Sequence, residues 1–187
     1  KNRAMLLSPT ASGKSLIIYI LTRLFLDSDP KQKTLIIVPT TSLVEQMTSD
    51  FLDYSSYDDS FWGSDIHKIY SGKEKITDAK VVITTWQSIY KLPGSWFEQY
   101  GMVIGDEAHT FKAKSLTTIL SKMDDCRYRY GFTGTLDGTQ THKLVLEGLF
   151  GTVKQIVSTS ELMDKNILAD LEIKGVVLEY PEATRKL

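Results

Sequence analysis

A loop near the start of the chain constrains its fold more than any other feature. The loop Ser8-Pro9-Thr10-Ala11-Ser12-Gly13-Lys14-Ser15 follows an apolar run, residues 4–7, that predicts a strand, and precedes an apolar run, residues 16–21, that predicts a helix. A strand, a tight loop ending in Gly-Lys-Ser and a helix are typical of a phosphate-binding P-loop. The unpaired N–H groups and the dipole of such a helix start stabilise a bound triphosphate. We therefore expect Lys14 to contact the β- and γ-phosphates of ATP and the Ser15 hydroxyl to ligate Mg²⁺.

The loop departs from the general P-loop pattern at one position. The pattern GxxxxGK[ST] begins with glycine, whereas this chain has Ser8; Gly13 and Lys14, the two most constrained positions, are kept. The alternative is that Gly13 only closes a turn and that Lys14 is a solvated surface lysine. Taken alone the loop does not separate these interpretations, and the rest of the chain must decide.

Composition limits the classes of protein to which the chain can belong. Its 187 residues suit one well-packed domain, and 42% hydrophobic and 24% charged residues are ordinary for a globular protein. A net charge of −1 gives no general attraction to nucleic acid, so any nucleic-acid site must be local. The single cysteine, Cys126, excludes an internal disulfide and predicts a reducing, cytoplasmic location. No apolar run is long enough to span a membrane. The chain starts with Lys1 rather than Met, and its last residues, 182–187, show no helix or strand pattern, so we expect it to be a piece of a longer chain.

Strands and helices alternate along the whole chain. The predicted strands are residues 4–7, 34–38, 67–70, 80–84, 102–105, 127–132, 153–157 and 171–179, and the predicted helices are 15–27, 41–54, 87–90, 96–97, 115–123, 141–149 and 159–164. Apolar residues cover most of the circumference of the first helix, which predicts that it is deeply buried. This alternation predicts an α/β fold, a mainly parallel sheet with helices on both faces.

The candidate motifs share one position in this predicted sheet. Besides the P-loop, they are Pro39-Thr40, Thr84-Thr85, Asp106-Glu107-Ala108-His109 and Thr133-Gly134-Thr135, and each follows the carboxyl end of a strand. Ligands of such sheets bind at that edge. We expect Asp106 to hold Mg²⁺ from its outer coordination shell, opposite Ser15, and Glu107 to orient and activate the water that attacks the γ-phosphate. The alternative for an isolated Asp-Glu pair is an acidic helix start, where carboxylates favour the dipole.

The motifs and their order resemble those of superfamily 2 helicases. Residues 8–15 resemble motif I, 36–46 motif Ia, 70–72 motif Ib, 82–88 the following Thr-Thr motif, 106–109 motif II in its DEAH form and 133–135 motif III. Ala11 replaces a glycine that is usual in motif I. The resemblance implies a RecA-like first motor domain over residues 1–170, and an exit strand and linker, 171–187, toward a second RecA-like domain. Motifs IV to VI of that second domain, which supply the arginine fingers, do not occur in this sequence.

The resemblance also implies roles that the residues alone do not establish. Thr40, Thr41, Gly72, Thr84 and Thr85 would bind the phosphodiester backbone of one nucleic-acid strand, although Thr41 is equally suited to capping a helix. His109, Thr133 and Thr135 would link the nucleotide site to the nucleic-acid site. The implied function is ATP-dependent unwinding or translocation by a monomer on DNA, branched or single-stranded, in recombination, repair or replication. An RNA–DNA hybrid is a further possible partner.

Two other functions are compatible with a P-loop. A small-molecule kinase would carry a basic lid over the phosphates, and the chain after Gly138 shows no such pattern. An ATP-gated module that binds nucleic acid without turnover would not need both Lys14 and Glu107. His67 and His142 lack metal-ligand spacing to Cys126. Trp62, Trp86 and Trp96 suit base stacking or, more commonly, burial.

Overall fold

The computed structural model describes residues 2–9, 12–57, 63–111, 113–135, 140–165 and 174–175. Within these ranges one sheet contains seven strands in the order β3-β4-β2-β5-β6-β1-β7, and every pair of neighbours is parallel. The strands are β1 (Arg3–Leu7), β2 (Lys33–Val38), β3 (Ile66–Ile69), β4 (Val81–Thr85), β5 (Tyr100–Gly105), β6 (Tyr128–Thr133) and β7 (Val153–Gln155). The helices are α1 (Lys14–Ser28), α2 (Thr41–Ser55), α3 (Trp86–Ile89), α4 (Gly94–Phe97), α5 (Ala113–Leu120), α6 (Gln140–Phe150) and α7 (Thr159–Asp164).

The predicted elements agree with these bounds to within a few residues. The expected strand at 171–179 lies outside the described residues except for 174 and 175. None of the helices in the described part combines the length and the apolar character needed to cross a bilayer.

Helices cover both faces of the sheet, as the alternating pattern predicted. Alternate strand residues point to opposite faces, and continuous apolar runs such as Leu35–Val38 in β2 are buried on both. One face packs against α1 and α2 through residues that include Ile18 and Phe51. The other packs against α3, α4, α5 and α6, with Leu116 and Phe150 among the buried residues.

The prediction that α1 is deeply buried is wrong for one side of the helix. Leu16, Ile20 and Leu24, spaced four residues apart, are 42%, 46% and 62% exposed. Residues at this spacing form one stripe of a helix, because each turn holds 3.6 residues. The opposite side of α1 packs on the sheet and on α2. The sequence did not show which side this was, because both sides are apolar.

The strand order brings the predicted motifs to one place. β6 lies between β1 and β5, so the carboxyl ends of these three strands are neighbours. The P-loop leaves β1, the 106–109 segment leaves β5, and Thr133 ends β6 between them. The chain from β1 to β2 crosses over two strands, which opens a crevice at this edge.

Candidate nucleotide-binding site

Hydrogen bonds attach the start of the P-loop to the end of β6. The Ser8 N–H donates to the Thr133 carbonyl at 2.9 Å, and the Ser8 and Ser12 hydroxyls are hydrogen-bonded to each other. Ser12 also donates through its hydroxyl to the Pro9 carbonyl at 2.6 Å. Ser8 is fully buried, so the serine that replaces the usual glycine has a local partner rather than an unsatisfied hydroxyl. Thr10 and Ala11 lie outside the described residues.

Gly13 has a φ of 78°, in the left-handed region, and directly precedes α1. A side chain is disfavoured at this backbone angle, which explains the glycine. The turn places Lys14 and Ser15 in the first helical turn, where backbone N–H groups have no intrahelical partner.

Lys14 and Glu107 meet across the crevice. The Lys14 ammonium donates to Glu107 Oε1 at 2.6 Å, and the two side chains are 13% and 26% exposed. Lys14 is therefore not the solvated surface lysine of the alternative interpretation, because a carboxylate from the end of β5 is its partner. This ion pair joins two residues that are 93 positions apart in the sequence.

Glu107 reaches Lys14 through an unusual backbone conformation. Its φ of 48° is the one positive value that the described part of the chain shows outside glycine. A residue other than glycine costs roughly 1–3 kcal/mol in such a conformation, and such residues cluster at functional sites. The carbonyl of Glu107 accepts hydrogen bonds from the N–H and the hydroxyl of Thr110, at 2.9 and 2.7 Å. These bonds hold the turn that directs the Glu107 carboxylate into the crevice.

Asp106 is a buried carboxylate beside this pair. Its N–H donates to the Ile37 carbonyl at 2.9 Å, and the residue is 6% exposed. Burial, with a smaller contribution from the neighbouring Glu107 carboxylate, raises the pKa of Asp106 to about 6. Lys14 and the Glu107 N–H oppose this shift.

A chain of contacts runs from Glu107 to the end of β6. His109 Nδ1 lies 3.4 Å from Glu107 Oε2 and 2.6 Å from Thr133 Oγ1. The Thr133 hydroxyl donates its one proton to the Thr135 carbonyl at 2.6 Å. His109 Nδ1 must therefore donate to Thr133, which assigns the ring proton to Nδ1. The three residues expected to link the two sites are thus in direct contact, and the linking role itself stays a prediction.

The crevice is an open cleft of about 460 Å³ between the P-loop and α2. It is lined by Gly13, Lys14, Ser15, Leu43, Gln46, Met47, Asp50, Asp106 and Glu107. The residues from α2 were not predicted as site residues. Their spacing of three or four positions places them on one helix face, but that pattern equally describes a helix packed on a core.

The oxygen atoms in this cleft fit a magnesium ion. Ser15 and Asp106 both line the cleft, and their hydroxyl and carboxylate are hard oxygen ligands of the kind that Mg²⁺ prefers. Mg²⁺ at nucleotide sites needs only one or two protein ligands, because phosphates and water supply the others. A group of three or more His, Cys, Asp or Glu side chains suited to a metal does not occur in the described ranges.

The predicted nucleic-acid residues lie along the same edge of the sheet, with different exposures. Thr40 caps α2 by accepting a hydrogen bond from the Leu43 N–H at 3.3 Å, so the capping role suggested for Thr41 belongs to Thr40. Thr41 is exposed, and Gly72 occupies an exposed turn with a φ of 79°.

The Thr-Thr motif at the end of β4 is less accessible. Thr84 is fully buried and its hydroxyl donates to the Thr85 carbonyl at 3.1 Å. Its hydroxyl is therefore not available for the phosphate contact that we expected. Thr85 is 5% exposed and shares a hydrogen bond of 2.9 Å with Ser88. Trp96 is also structural, because its N–H donates to the Lys75 carbonyl and its ring packs edge-on against Phe97. Trp62 and the side chain of His142 lie outside the described part.

A polar cluster ties α2 to the strand before the Gly72 turn. Glu45 accepts hydrogen bonds from Lys68 at 2.7 Å and from Tyr70 at 2.8 Å. The Lys68 and Tyr70 bonds lower the pKa of Glu45. The cluster fixes the start of the Gly72 turn relative to the helix that begins at Thr41.

Comparison with known proteins identifies relatives of this chain. The model of a family described as "Type III restriction enzyme, res subunit" matches residues 1–138. The ATP-dependent DNA helicase UvsW of Enterobacteria phage T4 is 39% identical over the whole chain, which spans 37% of that relative's length. The DNA 3'-5' translocase XPB2 of Sulfurisphaera tokodaii is 23% identical over the whole chain, which spans 39% of its length.

Solved structures show the same fold. The crystal structure of T4 UvsW superposes with a TM-score of 0.73 at 39% identity, covering 82% of this chain and 54% of that one. The helicase domain of Pyrococcus furiosus Hef superposes with a TM-score of 0.69 at 18% identity, covering 87% of this chain and 36% of that one. These likenesses confirm the predicted RecA-like fold with its parallel sheet.

Proposed function

Because this chain belongs to the family described as the Type III restriction enzyme res subunit, we propose that it is the ATP-binding motor domain of an ATP-dependent DNA helicase or translocase. The observation that carries this proposal is the meeting of Lys14 and Glu107 in one cleft, with Ser15 and Asp106 beside them. Phosphate binding and water activation require these two side chains at adjacent positions. The names of the T4 and Sulfurisphaera relatives support DNA as the partner.

The ion pair gives the proposed site a simple switch. The phosphates of ATP compete with Glu107 for the Lys14 ammonium, because both are anions attracted by the same positive charge. Once Lys14 binds the phosphates, the Glu107 carboxylate is free to accept a hydrogen bond from water and to take its proton. Mg²⁺ held by Ser15 and Asp106 would neutralise charge on the phosphates.

The contact between His109 and Thr133 transmits this exchange. Glu107 Oε2 lies 3.4 Å from the His109 nitrogen that donates to Thr133. Movement of the Glu107 carboxylate therefore changes the electrostatic environment of the His109–Thr133 hydrogen bond, and Thr133 in turn donates to the Thr135 carbonyl. We infer that His109, Thr133 and Thr135 couple nucleotide binding to the nucleic-acid edge of the sheet.

DNA is proposed to bind along Thr40, Thr41, Gly72 and Thr85 through its phosphates. The N-termini of α2 and α3 lie there, and unpaired N–H groups at helix starts bind phosphate without reading sequence. Thr84 supports this edge from beneath, since its buried hydroxyl bonds the Thr85 carbonyl. Affinity is then expected to vary little with sequence and to fall with salt, with a slope of about −0.7 for each phosphate neutralised on a single strand.

The test is steady-state ATP hydrolysis by the full-length protein with different nucleic acids. The matched substrates are forked DNA, linear duplex DNA, single-stranded DNA and an RNA–DNA hybrid, each at equal nucleotide concentration with Mg²⁺. We expect DNA to stimulate hydrolysis and forked DNA to stimulate it most, with the active protein sedimenting as a monomer. Equal rates with and without nucleic acid would contradict the motor assignment and favour a P-loop kinase. DNA binding that responds to ATP without turnover would instead favour a gated binding module.

A further inference from the structure

Tyr54 contacts the residue proposed to ligate magnesium. The Tyr54 hydroxyl, in the last turn of α2, lies 2.9 Å from Ser15 Oγ, in the first turn of α1. The two residues are 39 positions apart, and Tyr54 belongs to none of the helicase-like motifs. We propose that Tyr54 is a positioning residue that holds the Ser15 hydroxyl in the orientation a magnesium ion requires, an inference that rests on the proposed function.

The chemistry of a serine hydroxyl makes such a partner useful. A metal ion takes a lone pair of the oxygen, so the hydroxyl proton must point away from the metal toward an acceptor. The Tyr54 oxygen, at hydrogen-bond distance, is a suitable acceptor. Tyr54 is only half-buried, so its own proton has access to solvent.

The Tyr54 ring is held more firmly than the serine it contacts. Its centroid lies 5.4 Å from the ring of Tyr19, which in turn packs edge-on against Phe51 at 5.2 Å. Tyr19 and Phe51 are 5% and 0% exposed, and they lie where α1 and α2 cross. Packing of this kind fixes the position of the phenol, whereas a serine side chain and its hydroxyl proton can each occupy more than one staggered position. Tyr54 therefore orients the Ser15 hydroxyl, rather than the reverse.

The consequence is a specific effect on the Mg²⁺ requirement. Removing the Tyr54 hydroxyl leaves the ring packing and the Ser15 oxygen in place but releases the orientation of the hydroxyl. Because one neutral hydrogen bond is lost, we expect the Mg²⁺ midpoint, the Mg²⁺ concentration that gives half-maximal nucleotide binding, to rise about two- to tenfold. Nucleotide affinity at saturating Mg²⁺ should stay close to that of the unaltered protein.

The experiment is a Mg²⁺ titration of fluorescent N-methylanthraniloyl-ADP binding to the full-length protein. The variants are Tyr54→Phe and, as a control, Tyr57→Phe. Tyr57 lies three residues after Tyr54 and is 90% exposed, so the control removes a hydroxyl from solvent. We expect Tyr54→Phe to raise the Mg²⁺ midpoint and Tyr57→Phe to leave it unchanged. Thermal unfolding of both variants separates this effect from loss of structure.

Two further variants test whether Tyr54 acts through Ser15. Ser15→Ala alone should raise the Mg²⁺ midpoint, and Tyr54→Phe added to Ser15→Ala should raise it no further. An equal shift in both backgrounds would overturn the proposal, as would an unchanged or lowered midpoint in Tyr54→Phe alone. If the unaltered protein binds the nucleotide with no Mg²⁺ dependence, the proposed function fails; if only Tyr54→Phe is silent, this inference alone fails.

Discussion

At the scale of single residues, Glu107 shows a conflict between local preference and role. A glutamate is disfavoured at a φ of 48°, yet this conformation places its carboxylate 2.6 Å from the Lys14 ammonium. Glycine or asparagine would relieve the backbone but would remove the acidic group from the cleft. The residue that is worst suited to the turn is therefore the one that the proposed chemistry needs.

Glu107→Gln is expected to keep nucleotide binding and to lose hydrolysis. The amide occupies the same space but cannot accept a proton from the attacking water, and loss of a general base lowers rates about 10²–10⁴-fold. The measurements are steady-state ATPase rate and fluorescent nucleotide affinity in the full-length protein. Glu98→Gln, an exposed change on another surface, is the control. Hydrolysis at the unaltered rate would mean that Glu107 only stabilises the turn.

Lys14→Ala is expected to abolish ATP hydrolysis while the fold persists. Removing a preorganised donor to a developing anion lowers kcat about 10²–10³-fold. The lost ion pair with Glu107 is partly exposed, and a change of about 1 kcal/mol shifts the Tm of a protein this size by about 2–4 °C. Lys31→Ala, in an exposed loop, is the control for removing a positive charge. The P-loop assignment would be wrong if Lys14→Ala hydrolysed ATP normally.

Motif chemistry indicated the residues of the candidate site but not their contacts. Lys14, Asp106 and Glu107 were identifiable because each follows a strand in a recognisable pattern. The ion pair between Lys14 and Glu107 was not, because the strand order that places β6 between β1 and β5 depends on packing of the whole sheet. Tyr54 gave no signal, since a tyrosine at helical spacing is equally a core residue.

At the scale of elements, α2 carries several parts of the proposed machinery. Thr40 caps its start at the nucleic-acid edge, Gln46 and Asp50 line the nucleotide cleft, and Tyr54 contacts Ser15. A 15-residue helix is about 22 Å long, so a single element reaches from the nucleic-acid edge to Ser15. The sequence predicted the bounds of this helix well because its apolar residues fall on one side. The sequence did not predict which side of α1 is exposed, because apolar residues occur on all sides of that helix.

The junction between α6 and β7 allows a matched test of glycine. Gly151 has a φ of 101°, and an added Cβ would lie 2.8 Å from the Arg3 carbonyl oxygen. Gly148, one turn earlier in α6, has open space around its Cβ position. We expect Gly151→Ala to destabilise the protein by about 1–3 kcal/mol or more, because backbone atoms cannot move aside easily. Gly148→Ala is expected to stabilise it by about 0.5–1 kcal/mol.

The measurement is urea unfolding of both variants under identical conditions. The opposite signs are the important result, because both changes add the same methyl group three residues apart. Equal effects would show that the Gly151 backbone relaxes to accept a side chain, and that the junction is less constrained than its geometry indicates.

At the scale of the whole molecule, the nucleotide cleft is open to solvent. It contains the phosphate-binding Lys14 and the acidic pair, and no arginine lies among the described residues that line it. Phosphoryl transfer in related motors uses an arginine that stabilises charge on the moving phosphoryl group, worth about 10³–10⁵ in rate. The T4 relative is much longer than this chain, which spans 37% of it. We propose that a second RecA-like domain supplies this arginine.

Residues 1–187 are therefore expected to fold alone as a monomer, to bind Mg²⁺–ATP weakly and to show negligible hydrolysis. The buried sheet with helices on both faces supports folding, and the P-loop and Asp106 support binding. The measurement is steady-state ATPase of this segment beside the full-length protein, each with and without forked DNA. The full-length protein should hydrolyse ATP in response to DNA, and the segment should not respond. DNA-stimulated turnover by the segment alone would show that its own residues complete the catalytic site, because phosphoryl transfer would then need no arginine from a second domain.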